Sequence, residues 1–137
     1  MKNNAIIISI HPCYVEKIWS GEKIFEYRRQ IPPHIKYMLI YSTAPVKMIT
    51  AFAEVDAVLT DSVESIWQRT KDNSGLSRQN YFQYFSGCEK ANAIKLKNVH
   101  KLETFLPLNS LEGIQNAPQS YVYLKEPLPQ LLKKIAE

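Results

Sequence analysis

The chain holds only four glycines. None are grouped as GxGxxG or as a P-loop, so nucleoside-triphosphate chemistry is not expected. Cysteine is scarcer still. Cys13 and Cys88 lie far apart and outside any CxxC, and both read as packed, inert thiols in a reducing compartment. The three histidines, His11, His34 and His100, have no metal-ligand spacing and no HExxH occurs, so neither a metal nor a cofactor is expected. Long apolar runs are missing: stretches such as 5–8 are far too short to cross a bilayer. Met1-Lys2-Asn3-Asn4 leads directly into that stretch, without the longer apolar region and cleavage site of a secretory signal, and the cytoplasm is the expected address. Linkers, repeats and low-complexity segments are also lacking. A length of 137 residues suits one domain spanning 1–137, and leaves oligomeric state open.

What is present is ordinary for a soluble globular domain: 45% apolar and 22% charged residues argue against disorder and against a membrane protein. Lys and Arg outnumber Asp and Glu by 17 to 13, a net charge of +4 that suits a phosphate-bearing partner without requiring one.

Residues 5–10 form an apolar, β-branched run stopped by His11-Pro12, which predicts a buried strand. A helix follows, with Pro12 at its first position, Tyr14, Val15, Ile18 and Trp19 at helical spacing, and Gly21 at its end. Residues 23–29 alternate, with Phe25 and Tyr27 on one face and Ile24, Glu26 and Arg28 on the other. After a loop at 30–34, strands are expected at 37–42 and 47–59, separated by the Ala44-Pro45 break. Asp61 and Glu64 mark a helix start, with Ile66 and Trp67 supplying its apolar contact and Lys71 near its end. A turn at 72–75 precedes a second short helix, capped by Ser77, carrying Tyr81, Phe82, Tyr84 and Phe85, and stopped by Ser86-Gly87. Residues 91–99 alternate again, Ile94 and Leu96 inward, Lys95 and Lys97 outward. Residues 106–118 read as loop with a helical turn at 110–114, then come a strand at 120–124 and a helix at 128–136. Five or six short mixed strands with a few flanking helices predict a small α+β domain whose sheet curls toward a barrel. Periodicity does not give the strand order.

The run ISIHPCYVEKIWSGEKIFEYRR at 8–29 resembles the opening of ASCH domains, with strand, helix, Ser-Gly-x-Lys and Glu-x-Arg-Arg in that family's order. Tyr41-Ser42-Thr43-Ala44-Pro45 and Ala53-Glu54-Val55 are similar to its middle strands and 91–97 to its next, so the likeness covers the chain up to Val99. The resemblance implies a small PUA-like β-barrel with a cleft beside the first helix, of a kind proposed to bind RNA. One branch of the family hydrolyses the acetyl amide of N4-acetylcytidine, using a Lys in the Gly-x-Lys position, a Thr three residues later and a Glu further on. Here the Lys is Lys23, the Thr position holds Glu26, and by order alone Glu64 and Asp72 are both open as the later carboxylate.

Lys23, at a helix-to-strand turn, is the candidate cation for a phosphate or, with its pKa lowered by burial, a catalytic amine. Glu26 and Arg28 are neighbours on one strand face. They could form a structural ion pair, or Arg28 could present its planar fork to a ligand while Glu26 accepts from a base's exocyclic amine or serves as general base. Tyr81 and Tyr84, with Arg78 before them, are candidates to line a cleft on which a base stacks. Tyr41 and Ser42 lie at a strand end where a ligand could find hydroxyls. Lys47, Arg69, Lys95, Lys97 and Lys101 could form a basic face. These residues suit binding of RNA or a modified nucleoside, with a regulatory role open. The alternatives are a hydrolase working on a modified nucleobase or RNA through Lys23 and Glu26, and a protein-interaction accessory domain whose cleft lacks convergent polar groups.

Overall fold

The computed structural model describes residues 4–32, 34–111, 114 and 116–124. Six strands, β1 (Ala5–Ile10), β2 (Phe25–Arg28), β3 (Tyr37–Ser42), β4 (Met48–Ser62), β5 (Lys90–Leu106) and β6 (Tyr121–Tyr123), form one sheet in the order β2-β5-β4-β3-β1-β6. Among the described strands only β1 and β3 pair in parallel; the remaining pairs are antiparallel. Among the described residues, three helices accompany the sheet: α1 (Pro12–Ser20), α2 (Val63–Thr70) and α3 (Arg78–Tyr84). This is the α+β architecture that the pattern of short strands predicts, and none of the described helices is long and apolar enough to cross a membrane.

Curvature comes from β4 and β5. Their pairing shifts register at Ile49/Ala51, Phe52/Glu54 and Val55/Ala57, and each irregularity bends the ladder and raises its twist. The result is a curled half-barrel. β1 is buried on both faces, as its unbroken apolar run requires: Ile6 and Ile8 pack with Val15 and Ile18 of α1, while Ala5 and Ile7 join Leu39, Ile49 and Leu102 on the other side. A third cluster joins Phe25 and Tyr27 of β2 to Ile66, Trp67, Tyr81 and Phe85 under α2 and α3.

Local chemistry sets the element ends. Pro12 opens α1, and Gly21 closes it at φ 85°, its amide donating to the Ile18 carbonyl. Ser77 caps α3 by accepting from the Asn80 amide at 3.1 Å, as its sequence position predicts. α2 is capped one residue later than expected: Ser62, not Asp61, accepts from the Ser65 amide, and Asp61 instead braces the turn from outside. β4 runs to Ser62 and β5 to Leu106, both beyond the predicted 59 and 99. A 3-10 turn occupies Leu108–Ser110, and the helical turn expected at 110–114 falls partly outside the described residues. The helix expected at 128–136 lies outside the described residues. Cys13 is exposed rather than packed, because it sits in the first turn of α1 away from the buried Val15–Ile18 stripe; Cys88 is partly buried.

Candidate functional site

A cleft of about 260 Å³ opens between the end of β1, the first turn of α1, β2 and α3. Its lining includes Ser9 and Ile10, His11 and Tyr14, Lys23 and Glu26 through Arg28, and Leu76, Asn80 and Tyr84. The sequence supplies this arrangement in two moves. The β1–α1 junction puts His11 and Tyr14 at one wall, and the αL turn at Gly21 returns the chain so that Lys23 and β2 form the floor.

Lys23 is 2% exposed, Glu26 7%. The Lys23 amine donates to the Ser74 carbonyl at 2.7 Å and lies 3.7 Å from Glu26 Oε1. It also sits over the Tyr27 ring, 4.8 Å from the centroid. Burial pulls the Lys23 pKa down from 10.5; Glu26 opposes this, and Arg28 adds to it. Glu26 Oε2 accepts from Arg28 Nε at 3.0 Å and from Nη2 at 2.8 Å. The same Nη2 donates to the Ser9 carbonyl at 2.6 Å. Arg28 therefore spends much of its fork within the protein instead of presenting it freely, and Glu26 is the one carboxylate among the described lining residues.

Neighbouring groups hold the floor in place. Gly75, at φ 68°, lies so close that a Cβ there would fall 2.7 Å from Lys23 Cβ. Lys17 donates to the Gly75 carbonyl at 3.1 Å, and the Ile24 amide to that of Asn73 at 3.0 Å. These bonds pin 73–76 against the α1–β2 junction. Tyr27 donates from its hydroxyl to Thr70 Oγ1 at 2.7 Å, and burial pushes its pKa up to about 12.

The predicted residues divide. Lys23, Glu26, Arg28 and Tyr84 meet in the cleft. Tyr84 is held there by Arg29, whose guanidinium lies 4.3 Å from the ring centroid and donates to the Tyr84 carbonyl. Tyr81 does not reach the cleft: its ring is fully buried against Trp67, Tyr27 and Phe85, and its hydroxyl donates to the Val63 carbonyl, so no face is free for a base. Arg78 is exposed on α3 over Phe82. Tyr41 packs into the cluster with Ile7 and Leu39, and Ser42, 1% exposed, bonds Thr50 at 2.8 Å, so neither hydroxyl borders the cleft. Glu64 and Asp72 are exposed and outside its lining. The basic residues do not act as one face: Lys95 and Lys97 flank Asp56, Arg69 approaches Asp61, and Lys101 covers Trp19.

His11, Tyr14, Tyr27 and Asn80 are lining residues that sequence reasoning did not select. Tyr14 and Tyr27 were absorbed into apolar periodicities, and His11 read only as a strand stop. For Tyr27 the available signal was its position just after the Gly-x-Lys turn, whereas no local pattern marks Asn80.

Comparison with known proteins gives this geometry a context. An ASCH domain family model matches residues 8–100. An ASCH domain-containing ribonuclease of Zymomonas mobilis is 36% identical over 131 residues, covering 92% of this chain and 88% of that protein. The crystal structure of an ASCH protein from Zymomonas mobilis superposes with a TM-score of 0.86 at 31% identity, over 96% of this chain and 95% of that one. The N-terminal domain of Staphylothermus marinus McrB shares the fold alone, at a TM-score of 0.60 and 12% identity, covering 99% and 94% of the two chains. Matched by its family model over most of its length and by a relative in both sequence and fold, the chain belongs to the ASCH domain family.

Proposed function

We propose that the cleft binds RNA by receiving one base, standard or modified, with Lys23 and Glu26 as its polar floor and Tyr14, Tyr27 and Tyr84 as its aromatic walls. The buried Lys23–Glu26–Arg28 cluster is the observation that carries this reading. Taking such charges out of water is costly, and apolar residues of equal volume would often be as stable, so a buried triad opening on a cleft points to use rather than to stability. The carboxylate can accept from an exocyclic amine, and the lysine can donate to a ring carbonyl. A volume of about 260 Å³ suits one base with its sugar and excludes a duplex. The relative named a ribonuclease supports RNA as the polymer.

A second reading, a hydrolase acting on RNA or on a modified nucleobase such as N4-acetylcytidine, draws on one specific feature: burial shifts Lys23 toward the neutral amine a general base needs. The interaction-domain reading expects a cleft without convergent polar groups, and three charged side chains converge here.

The test uses the full chain with Glu26→Gln and Lys23→Met, incubated with single-stranded RNAs and with nucleosides that include N4-acetylcytidine. Binding is followed by a salt-titrated shift assay and products by mass spectrometry. Salt-sensitive binding without product, weakened about tenfold or more in Glu26→Gln, supports the binding site. Product formed by the native chain and lost in Lys23→Met selects the hydrolase. Binding that neither substitution alters would place the RNA elsewhere.

A further inference from the structure

We propose that His11 grips the ligand's phosphate at the mouth of the cleft, so that the site takes a nucleotide of a strand in preference to a free nucleoside; this rests on the reading of the cleft as a base site. Depth separates two zones. Lys23 and Glu26 are buried at the floor, whereas His11 and Asn80 are exposed at the rim. A base whose edge reaches the floor leaves its ribose and phosphates at that rim.

The start of α1 cannot serve an anion through its amides. Pro12 has no N–H, the Cys13 amide donates to His11 Nδ1 at 3.2 Å, and the amides of Tyr14 and Val15 both donate to the His11 carbonyl, at 3.0 and 3.1 Å. The His11 ring does what those amides cannot. Its Nδ1 lone pair is committed to the cap, so the neutral ring carries its proton on Nε2 and offers a donor of fixed tautomer. Tyr14, 6.2 Å away between centroids and edge-on, supports the ring from inside the cleft. Among the described lining residues no carboxylate competes at the rim, because Glu26 lies at the floor and is turned to Lys23 and Arg28. An acceptor-rich group at the mouth therefore meets the His11 N–H and the side-chain amide of the exposed Asn80.

The experiment compares the four ribonucleosides with the corresponding bisphosphates, phosphorylated at both ribose positions that a strand uses, by calorimetry in mildly alkaline buffer. Three proteins are needed: the native chain, His11→Ser, which keeps a neutral N-cap while removing the long donor, and His11→Ala, which removes both. For at least one base the native chain should bind the bisphosphate about tenfold more tightly than the nucleoside, as one hydrogen bond to a charged oxygen gives. In His11→Ser that ratio should collapse toward one while the unfolding midpoint stays near native; His11→Ala should lose both the ratio and part of its stability. A native ratio near one, or a ratio that survives in His11→Ser, overturns the phosphate role while leaving the base site standing. If the native chain binds none of the eight compounds, the cleft does not take a standard base, and the phosphate role proposed for His11 falls with that part of the reading. Nitrogen-detected NMR of the imidazole gives an independent check, since a proton found on Nδ1 in the free protein would also overturn the assignment.

Discussion

A lysine amine in a protein interior is costly while charged and stranded while neutral, and Lys23 is placed between these conditions. Ser74 and Glu26 satisfy the charged form, and burial favours the neutral one. The sign of the pH effect follows. Between the lowered folded value and 10.5 the unfolded chain holds the extra proton, so stability contributed at Lys23 rises with pH across that window. Tyr27 works oppositely: its folded value of about 12 lies above the ordinary 10.0, so stability falls as pH passes through 10. Urea unfolding midpoints of the native chain and Lys23→Met, measured from neutral pH to just below 10, isolate the lysine because both proteins share Tyr27. The difference should move in favour of the native chain as pH rises, and parallel profiles would contradict it. Gly75 tests the same packing from its other side. Gly75→Ala adds a methyl group against the Lys23 stem at a positive φ, and should lower unfolding free energy by about 2–3 kcal/mol in denaturant titrations. Lys23 was legible from the Gly-x-Lys spacing; its dependence on Gly75 was not, because the two are 52 positions apart and meet only when 73–76 folds back.

Tyr81 and Tyr84 show what a helix does to a pair of identical residues. Three positions apart, they are separated by roughly 60° around the axis, a small angle that sequence periodicity cannot assign to core or cleft. Packing assigns it: Trp67 and Val63 of α2 take Tyr81, whereas Tyr84 turns toward Arg29 and the cleft. Substitution should separate them. Tyr84→Ala removes a stacking wall and should weaken nucleotide binding about tenfold or more, whereas Tyr81→Phe should leave affinity near native and lower stability by about 1 kcal/mol through loss of its hydroxyl bond to the Val63 carbonyl. Paired calorimetry and thermal melts read both, and equal affinity losses would place Tyr81 in the site after all. β5 carries a similar lesson. Its alternation is clear through Leu96 and Lys97 and then fails, because Asn98 adopts φ 49° beside the register shift at Phe52/Glu54. A bulge changes which face follows, so a period-two reading stops at 99 while the strand continues to Leu106.

At the scale of the whole molecule, the feature least visible in the sequence is the closure of the sheet. β2 lies at one edge and β1 is fifth of six in the order, although only α1 separates them along the chain. The curl of β4 and β5 brings them together across the cleft, where Arg28 of β2 donates to the Ser9 carbonyl of β1 while holding Glu26. That Glu26 and Arg28 share a face was legible from their spacing; the Ser9 partner was not, since it depends on three register shifts that no local pattern encodes. A side chain thus spans the gap that a backbone ladder leaves open. Arg28→Ala should cost about 3–5 kcal/mol, because it strips the two guanidinium hydrogen bonds from a buried carboxylate, leaving it Lys23 at 3.7 Å as a cation, and releases the β1–β2 bridge. Arg28→Lys should recover little, as one ammonium cannot reproduce a fork that serves Glu26 and Ser9 together. Hydrogen exchange should locate the loss, with β2 amides exchanging faster while those of central β4 change least. A Glu26→Gln/Arg28→Met double substitution distinguishes the pair from the bridge. If most of the loss is the stranded carboxylate, the double variant should be more stable than Arg28→Ala; if it is the bridge to Ser9, the double variant should be no better and β2 should still exchange early.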